Sequence, residues 1–298
     1  MLSKKGLSAL FCFFLFVPVI LRAGAGSSLE FPVGPANIAL GETGLLALRA
    51  DSVFFNPAFI YLQGSGEVTL SHLSWMEDTS QSAFAVKTKN WGLGFSYFDY
   101  GVFDATTLTP DILSQFRASD SVFLLGRNFA VGQRTAFGAD VKFLQQVIGA
   151  DRAAAVCFDL GFFSQTEDVF NGNKTLWSLA VRNLGGKLKF NDTNESVGQI
   201  VEGGIGLSFS NRGRTHFVLS REGAVLNLKL GLELGFSSFL KMRVGYIYPN
   251  GGYESGSSEG LRMGLGLDFG SLVFDYAVLP FSGVSYQHTA SVSVRFGR

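Results

Sequence analysis

Two stretches decide how this chain folds: LNLKLGLELGF at 226–236 and LRMGLGLDF at 261–269. In the first, Leu226, Leu228, Leu230, Leu232, Leu234 and Phe236 alternate with Asn227, Lys229, Gly231, Glu233 and Gly235. In the second, Leu261, Met263, Leu265, Leu267 and Phe269 alternate with Arg262, Gly264, Gly266 and Asp268. A period of two describes a strand with one apolar and one polar face. Runs of this length suit a tilted strand crossing a bilayer, whereas strands of soluble sandwiches average about five or six residues. The pattern predicts an all-β transmembrane barrel.

Working outward, the same alternation recurs from 67 to the end. The segments are 67–76, 80–88, 90–100, 119–129, 133–147, 151–164, 174–184, 197–210, 213–221, 224–236, 238–248, 258–269, 271–280 and 285–297. That gives an antiparallel barrel of about 14 strands, an even number as bacterial single-chain barrels require. Breaks at Gly223, Ser237 and Gly270 read as tight turns at one end, and 101–118, 165–173, 185–196 and 249–257 as longer loops at the other. Trp75, Trp91, Tyr97, Tyr100, Trp177, Tyr246, Tyr248, Tyr276, Phe281 and Tyr286 cluster near strand ends, where interfacial girdles or core packing would place them. The polar faces carry Asp140, Lys142, Asp159, Lys229, Glu233, Lys241, Arg243, Arg262, Asp268, Asp275 and Arg295, charges of both signs that can pair across a lumen.

Composition agrees. Only 16% of the 298 residues are charged, against roughly 25% in soluble domains, and there are 30 Phe and 37 Gly. Equal numbers of basic and acidic residues, 24 each, leave nothing to neutralise a phosphate backbone, which excludes an electrostatic nucleic-acid binder. Beyond Leu21 no apolar run is long enough for a spanning helix, and closed barrels are the other structure that satisfies every backbone group in lipid. Lys4 and Lys5, the apolar run LFCFFLFVPVIL at 10–21 and the A-x-A pattern Ala23-Gly24-Ala25 read as a signal peptide over 1–25. Cys12 leaves with it, and Cys157 sits in an alternating strand as a small packed side chain.

Residues 26–66 break the pattern and are expected to form a partly helical hatch in the lumen of a barrel spanning 67–298. Thr43 could cap a short helix through Leu48. Asn56 is a good N-cap, and Pro57 suits the first position of a second short helix to about Leu62. A fourteen-stranded barrel is wide enough to leak without such a plug.

The stretch Gly44-Leu-Leu-Ala-Leu48 with Asp51-Ser-Val-Phe-Phe-Asn-Pro-Ala58 resembles the N-terminal hatch signature of the FadL-like long-chain fatty acid transporters and the related PorV/PorQ outer-membrane barrels. The resemblance continues in Val181-Arg-Asn-Leu-Gly-Gly-Lys-Leu-Lys-Phe190, Leu261–Phe269, Phe274-Asp-Tyr-Ala277, Pro280-Phe281 and Ser291–Gly297, and is nearer the PorV/PorQ branch. Three departures stand: Phe59 occupies a position usually held by Gly, the chain is shorter than most fatty acid transporters, and it ends Phe296-Gly-Arg without a terminal aromatic. The resemblance implies a channel of the bacterial outer membrane taking up hydrophobic solutes such as long-chain fatty acids, with sideways release through a strand weakened at sites such as Gly92 and Gly94. PorV-type members imply an alternative, carriage of secreted proteins. A scaffold barrel without transport is a third reading.

No enzymatic constellation rises from the sequence, and no cofactor or metal is expected. His72, His216 and His288 fall on different strands, whereas zinc needs three or four converging ligands. Gly203-Gly-Ile-Gly206 and Gly264-Leu-Gly266 lack the strand–turn–helix setting of a dinucleotide site and read as small residues facing a crowded lumen. A fatty acid has one charged head and a long tail, so its site needs an apolar cleft with few polar anchors. Val53, Phe54, Phe55, Phe59 and Leu62 are the expected cleft, with Asn56, Pro57 and Ala58 holding the hatch turn. Lys229, Lys241, Arg243 and Arg262 are the candidate head-group anchors. The partners are then outer-membrane lipid and a hydrophobic small molecule, with secreted cargo in the alternative reading.

The face assignment can be checked directly. Leu230→Arg places a charge on the lipid side and should cost about 2–4 kcal/mol in a urea titration of the refolded barrel, whereas Lys229→Arg should cost little. Equal tolerance at both positions would show that the faces are misassigned.

Overall fold

The computed structural model describes residues 27–46, 49–58, 66–75, 78–106, 112–167, 173–190, 193–209, 212–250, 260–281 and 285–297. The expected leader, Phe59 and Leu62 lie outside the described residues.

Fourteen strands close into an antiparallel barrel. They are β1 (Gly66–Ser74), β2 (Ser80–Lys87), β3 (Trp91–Thr106), β4 (Ile112–Val131), β5 (Thr135–Ile148), β6 (Asp151–Glu167) and β7 (Lys174–Leu184), followed by β10 (Ile200–Ser208), β11 (Gly213–Glu222), β12 (Val225–Gly235), β13 (Leu240–Asn250), β14 (Leu261–Asp268), β15 (Leu272–Phe281) and β16 (Ser285–Phe296). Two further strands, β8 (Lys187–Phe190) and β9 (Thr193–Ser196), pair only with each other in a hairpin between β7 and β10. The ring closes where β1 pairs with β16, Glu67 opposite Arg295 and Ser71 opposite Ser291.

Alternation fixes which way each side chain points. On β5, Ala136, Lys142 and Leu144 are buried inside, while Phe137, Val141 and Phe143 stand exposed outside. Leu70 on β1 is 59% exposed and Phe158 on β6 is 52% exposed, and such residues cover the whole outer wall. An apolar surface of this extent is suited to hydrocarbon, not water. Trp91, Tyr97, Tyr248, Tyr276 and Tyr286 face outward, as girdle residues would. Trp75 instead packs its ring edge-on against Phe31, 4.6 Å between centroids.

Strand ends differ from expectation in three places. Direction alternates from strand to strand, so the Gly223 turn lies at the same end as the β7–β10 excursion, while the β6–β7 connection lies at the end of the Ser237 and Gly270 turns. The Gly223 turn and the 165–173 connection therefore lie at the opposite ends to those expected, whereas the β3–β4, β7–β10 and β13–β14 connections do share one end and the Ser237 and Gly270 turns the other. Much of 101–118 is strand: after a bulge between Asp99 and Val102, β3 and β4 run on as a two-stranded ribbon, with Phe103 and Phe116 stacked at 5.5 Å. The bulge sits at Gly101, whose φ of 85° suits glycine. The 185–196 loop contains the β8–β9 hairpin.

Inside the barrel lies the hatch: a turn of 3-10 helix at Ser27–Leu29, helix α1 (Pro35–Ala39), and 3-10 turns at Gly44–Leu46 and Ala50–Phe54. Thr43 does not cap a helix; its hydroxyl donates to Leu40 O at 3.0 Å and meets His216 Nδ1 at 3.0 Å. Asn56 does hold its turn, its Oδ1 accepting from the Ala58 amide at 2.8 Å while Nδ2 donates to Ser178 Oγ at 2.7 Å. The hatch backbone runs along a track of inward-facing glycines. A methyl group on Gly231 would come within 2.6 Å of Leu40 O, and one on Gly138, Gly161 or Gly245 would overlap Pro57, Asn56 or Gly41. These positions admit only a side chain of one hydrogen, because hatch backbone occupies the space at Gly138, Gly231 and Gly245 and the Asn56 side chain occupies it at Gly161.

Gly245→Val should therefore expel the hatch while sparing the wall. The expected result is a barrel that still migrates as a folded, heat-modifiable band but whose hatch, the segment before β1, is clipped by added protease, since exposed, undocked segments are the preferred sites of nicking. Protection equal to that of the unsubstituted protein would show that the glycine track does not hold the hatch.

Candidate functional site

The hatch and the wall meet through buried charge. Arg49 leaves the hatch and reaches the closing seam: its Nε donates to Glu67 Oε1 at 3.0 Å, one terminal nitrogen pairs with Asp275 Oδ2 at 2.9 Å, and the other donates to Ser293 Oγ at 2.6 Å. Glu67 Oε1 also accepts the Ala50 amide at 2.8 Å, and Arg295 joins Glu67 at 3.2 Å. Arg243 bridges Asp275 and Glu233 at 2.6 and 2.8 Å. Across the lumen, Glu202 holds Arg182 at 3.1 Å and Lys229 at 3.0 Å, and Lys142 pairs with Asp159 at 2.6 Å. Most of the mixed charge of the polar faces is thus spent on ion pairs, as burial in a poorly solvated lumen demands; the exception is Asp140, whose carboxylate oxygens are buried without a hydrogen-bond partner among the described residues.

The four expected head-group anchors are all engaged in this way. Lys229 lies between Glu202 and Glu222, Lys241 pairs with Asp268, Arg243 with Glu233 and Asp275, and Arg262 with Glu42 at 3.4 Å. None of them borders the aromatic cleft.

That cleft lies between hatch and wall. Phe54 and Phe55 line it together with Leu29, Phe31, Val33 and Val122, and Ser28, Ser96, Lys142 and Arg182 supply its polar rim. Val53 is fully buried beside Ala50, Ala83 and Leu124, behind the cleft. The Arg182 guanidinium sits 5.7 Å from the centroid of Phe55, and its Nε, unlike the terminal nitrogen on Glu202, has no hydrogen-bond partner among the described residues. Lys142 Nζ also reaches Phe54 O and Asn183 Oδ1, each at 3.4 Å. The free space is only about 10 Å³, at the limit for one water molecule, so the rings close the cleft on themselves. Sequence reasoning missed Arg182 and Lys142 as cleft residues, although Arg182 lies in the Val181–Phe190 stretch and Lys142 on the polar face of its strand. β3 pairs without a register shift through Gly92 and Gly94, and Gly94 makes room for the Phe54 ring, 2.7 Å from where a Cβ would stand.

Asp51 is a second sensitive point of the hatch. Burial pushes its carboxyl up to about 7; Arg49 and Lys87 pull against this shift, and the carboxylates of Glu67 and Asp275 add to it. A docked hatch therefore holds the Asp51 proton where water would remove it, near pH 4. The resulting preference for docking is complete below about 4 and is lost as the pH climbs through about 7. Amide exchange of the hatch should be slower at pH 5.5 than at pH 8.5 after correction for intrinsic rates, and Asp51→Asn should flatten the difference. A hatch that tightens with rising pH would contradict this assignment.

No protein-family profile and no curated protein matches the sequence. Solved structures do match in fold. The Ralstonia pickettii toluene transporter TbuX aligns with 89% of this chain and 99% of its own at 13% identity and a TM-score of 0.58. The CymD monoaromatic hydrocarbon channel aligns with 90% of this chain and 98% of its own at 12% identity and a TM-score of 0.58. A deletion mutant of the TodX monoaromatic hydrocarbon channel aligns with 89% of this chain and 97% of its own at 11% identity and a TM-score of 0.54. At such low identity the likeness is one of architecture: this chain is a transmembrane β-barrel with a lumenal hatch, folded as these hydrocarbon channels are.

Proposed function

We propose that this protein is a hatch-gated channel of the bacterial outer membrane that takes up hydrophobic solutes, long-chain fatty acids among them, and that it is a FadL-like barrel without enzymatic activity. The observation that carries the reading is the aromatic cleft, bordered by Phe31, Phe54 and Phe55 and edged by the Arg182 guanidinium and the Lys142 ammonium. A ring or alkyl tail has apolar contact there, and a carboxylate head has the unused Nε of Arg182. The names of the structural relatives, toluene and monoaromatic hydrocarbon channels, favour an uncharged ring as a second class of solute. The leader over 1–25 would deliver the chain out of the cytoplasm, and the hatch over 26–66 would close the barrel over 67–298.

A second reading, a PorV-like accessory in protein secretion, draws support from the sequence resemblance and from the β3–β4 ribbon, which exposes Val102 and Phe103 beyond the barrel rim. Copurification of secreted cargo with the intact protein, abolished by trimming the ribbon, would favour it over solute uptake.

Two measurements test the leading reading. Deleting 27–63 should leave a foldable barrel with raised ion conductance in planar bilayers; conductance no higher than that of the intact protein would show that the hatch is no plug. Phe54→Ala with Phe55→Ala should lower uptake of radiolabelled fatty acid into proteoliposomes, and unchanged uptake would move the solute path elsewhere.

A further inference from the structure

The β8–β9 hairpin does not project from the barrel rim. Its amphipathic face turns inward: Leu188 is fully buried against β6 in a cluster that includes Cys157, Val197 and the hatch residue Leu29, while Lys187, Lys189 and Glu195 remain exposed. Leu29 also lines the aromatic cleft, so this cluster is the cover between the cleft and the open mouth. The root of the hairpin is Asn183, a non-glycine residue at φ 62°, beside a register shift in the β6–β7 ladder. Asn183 closes the excursion by donating from Nδ2 to Gly198 O at 3.0 Å, and its amide donates to Asp159 Oδ1 at 2.8 Å. Asp159 and Asn183 are the groups that hold the Lys142 ammonium, whose other contact is Phe54 O on the hatch.

We propose that the β8–β9 hairpin is a gate over the cleft and that Lys142 is its latch, released when the anionic head of an amphiphile takes the place of Asp159 on the ammonium. The inference rests on the uptake reading for its ligand, but not for the gate itself. A carboxylate arriving in the cleft meets Lys142 from the side of Phe54; as the ammonium turns to it, Asp159 and the Asn183 side chain lose their shared cation and the hairpin root is freed. An uncharged ring that parts the cleft's own rings offers the ammonium no anion to exchange for Asp159. The device therefore separates two classes of solute by head group rather than by tail.

Cys157 reports on the gate, because it is buried beneath the hairpin, with Gly186 against its sulfur and Val197 in the same buried cluster. The mature protein in liposomes is treated with a membrane-impermeant maleimide, and the labelling rate is followed by mass. Unliganded protein should label slowly. Leu188→Ser and Asn183→Ala should each raise the rate about tenfold or more, the change expected from losing ~1.4 kcal/mol of closure. Decanoate should raise the rate of the unsubstituted protein, decanol and toluene should not, and Lys142→Gln should label fast with no response to decanoate. A decanoate-insensitive rate, or an equal response to decanol, overturns the latch. Slow labelling in variants whose heat-modifiable migration shows a folded barrel overturns the gate. If labelling behaves as expected while proteoliposomes accumulate no fatty acid, the gate stands and the transport reading fails.

Discussion

The guanidinium of Arg49 is the tie on which the interior depends. Among the described residues it is the one hatch side chain that reaches β1, β15 and β16 together, through Glu67, Asp275 and Ser293, and those strands include the seam where the ring closes. Without Arg49, Glu67 would be left with Arg295 and Asp275 with Arg243, so each buried carboxylate would lose one of its paired cations in a poorly solvated interior. Closing the seam and docking the hatch are therefore coupled. From that anchor the hatch continues round the wall, with Phe54 on Gly94, Asn56 on Ser178, Thr43 on His216 and Ala39 on Gly264.

Alternation imposes two demands on each strand. The outer face must be largely apolar for lipid, so the charges and the adjustments for the hatch fall mostly on the inner face, and the outward His72 and His288 are bonded to Ser82 and Tyr276. Charge on that face is tolerated because it is paired, and bulk is withheld where the hatch passes. Glycine at 138, 231 and 245 is the sequence record of a second backbone lying within contact of the first, and glycine at 161 makes room for the Asn56 side chain. The same inner face supplies the cleft, where Lys142 and Arg182 are held by Asp159 and Glu202 yet still border apolar rings.

Much of this was legible in the sequence and some was not, for physical reasons. The strands were readable because period two is local: LRMGLGLDF needs no knowledge of its neighbours. The inward turn of Asn56 was readable because Asn-Pro carries its own capping chemistry. Which end a turn occupies was not, because it depends on the parity of every strand before it, as Gly223 shows. The anchors were not readable either. Lys229 and Lys142 look alike on a polar face, and only the barrel geometry sets Lys229 between two glutamates and brings Lys142 beside Phe54. The β8–β9 hairpin was hidden because four-residue strands with a single buried leucine are too short to display a period.

The central claim is that a hydrophobic solute lodges between hatch and wall, beside the two cleft cations. A crystal of the intact protein grown with a fatty acid brominated at its tail would test this most directly, because bromine scatters anomalously and marks its own position. The expected result is a bromine peak inside the barrel, among Phe31, Phe54 and Phe55, with the carboxylate toward Arg182 and Lys142. Bromine found only along the outer wall, with the cleft still closed by its own rings, would contradict the account.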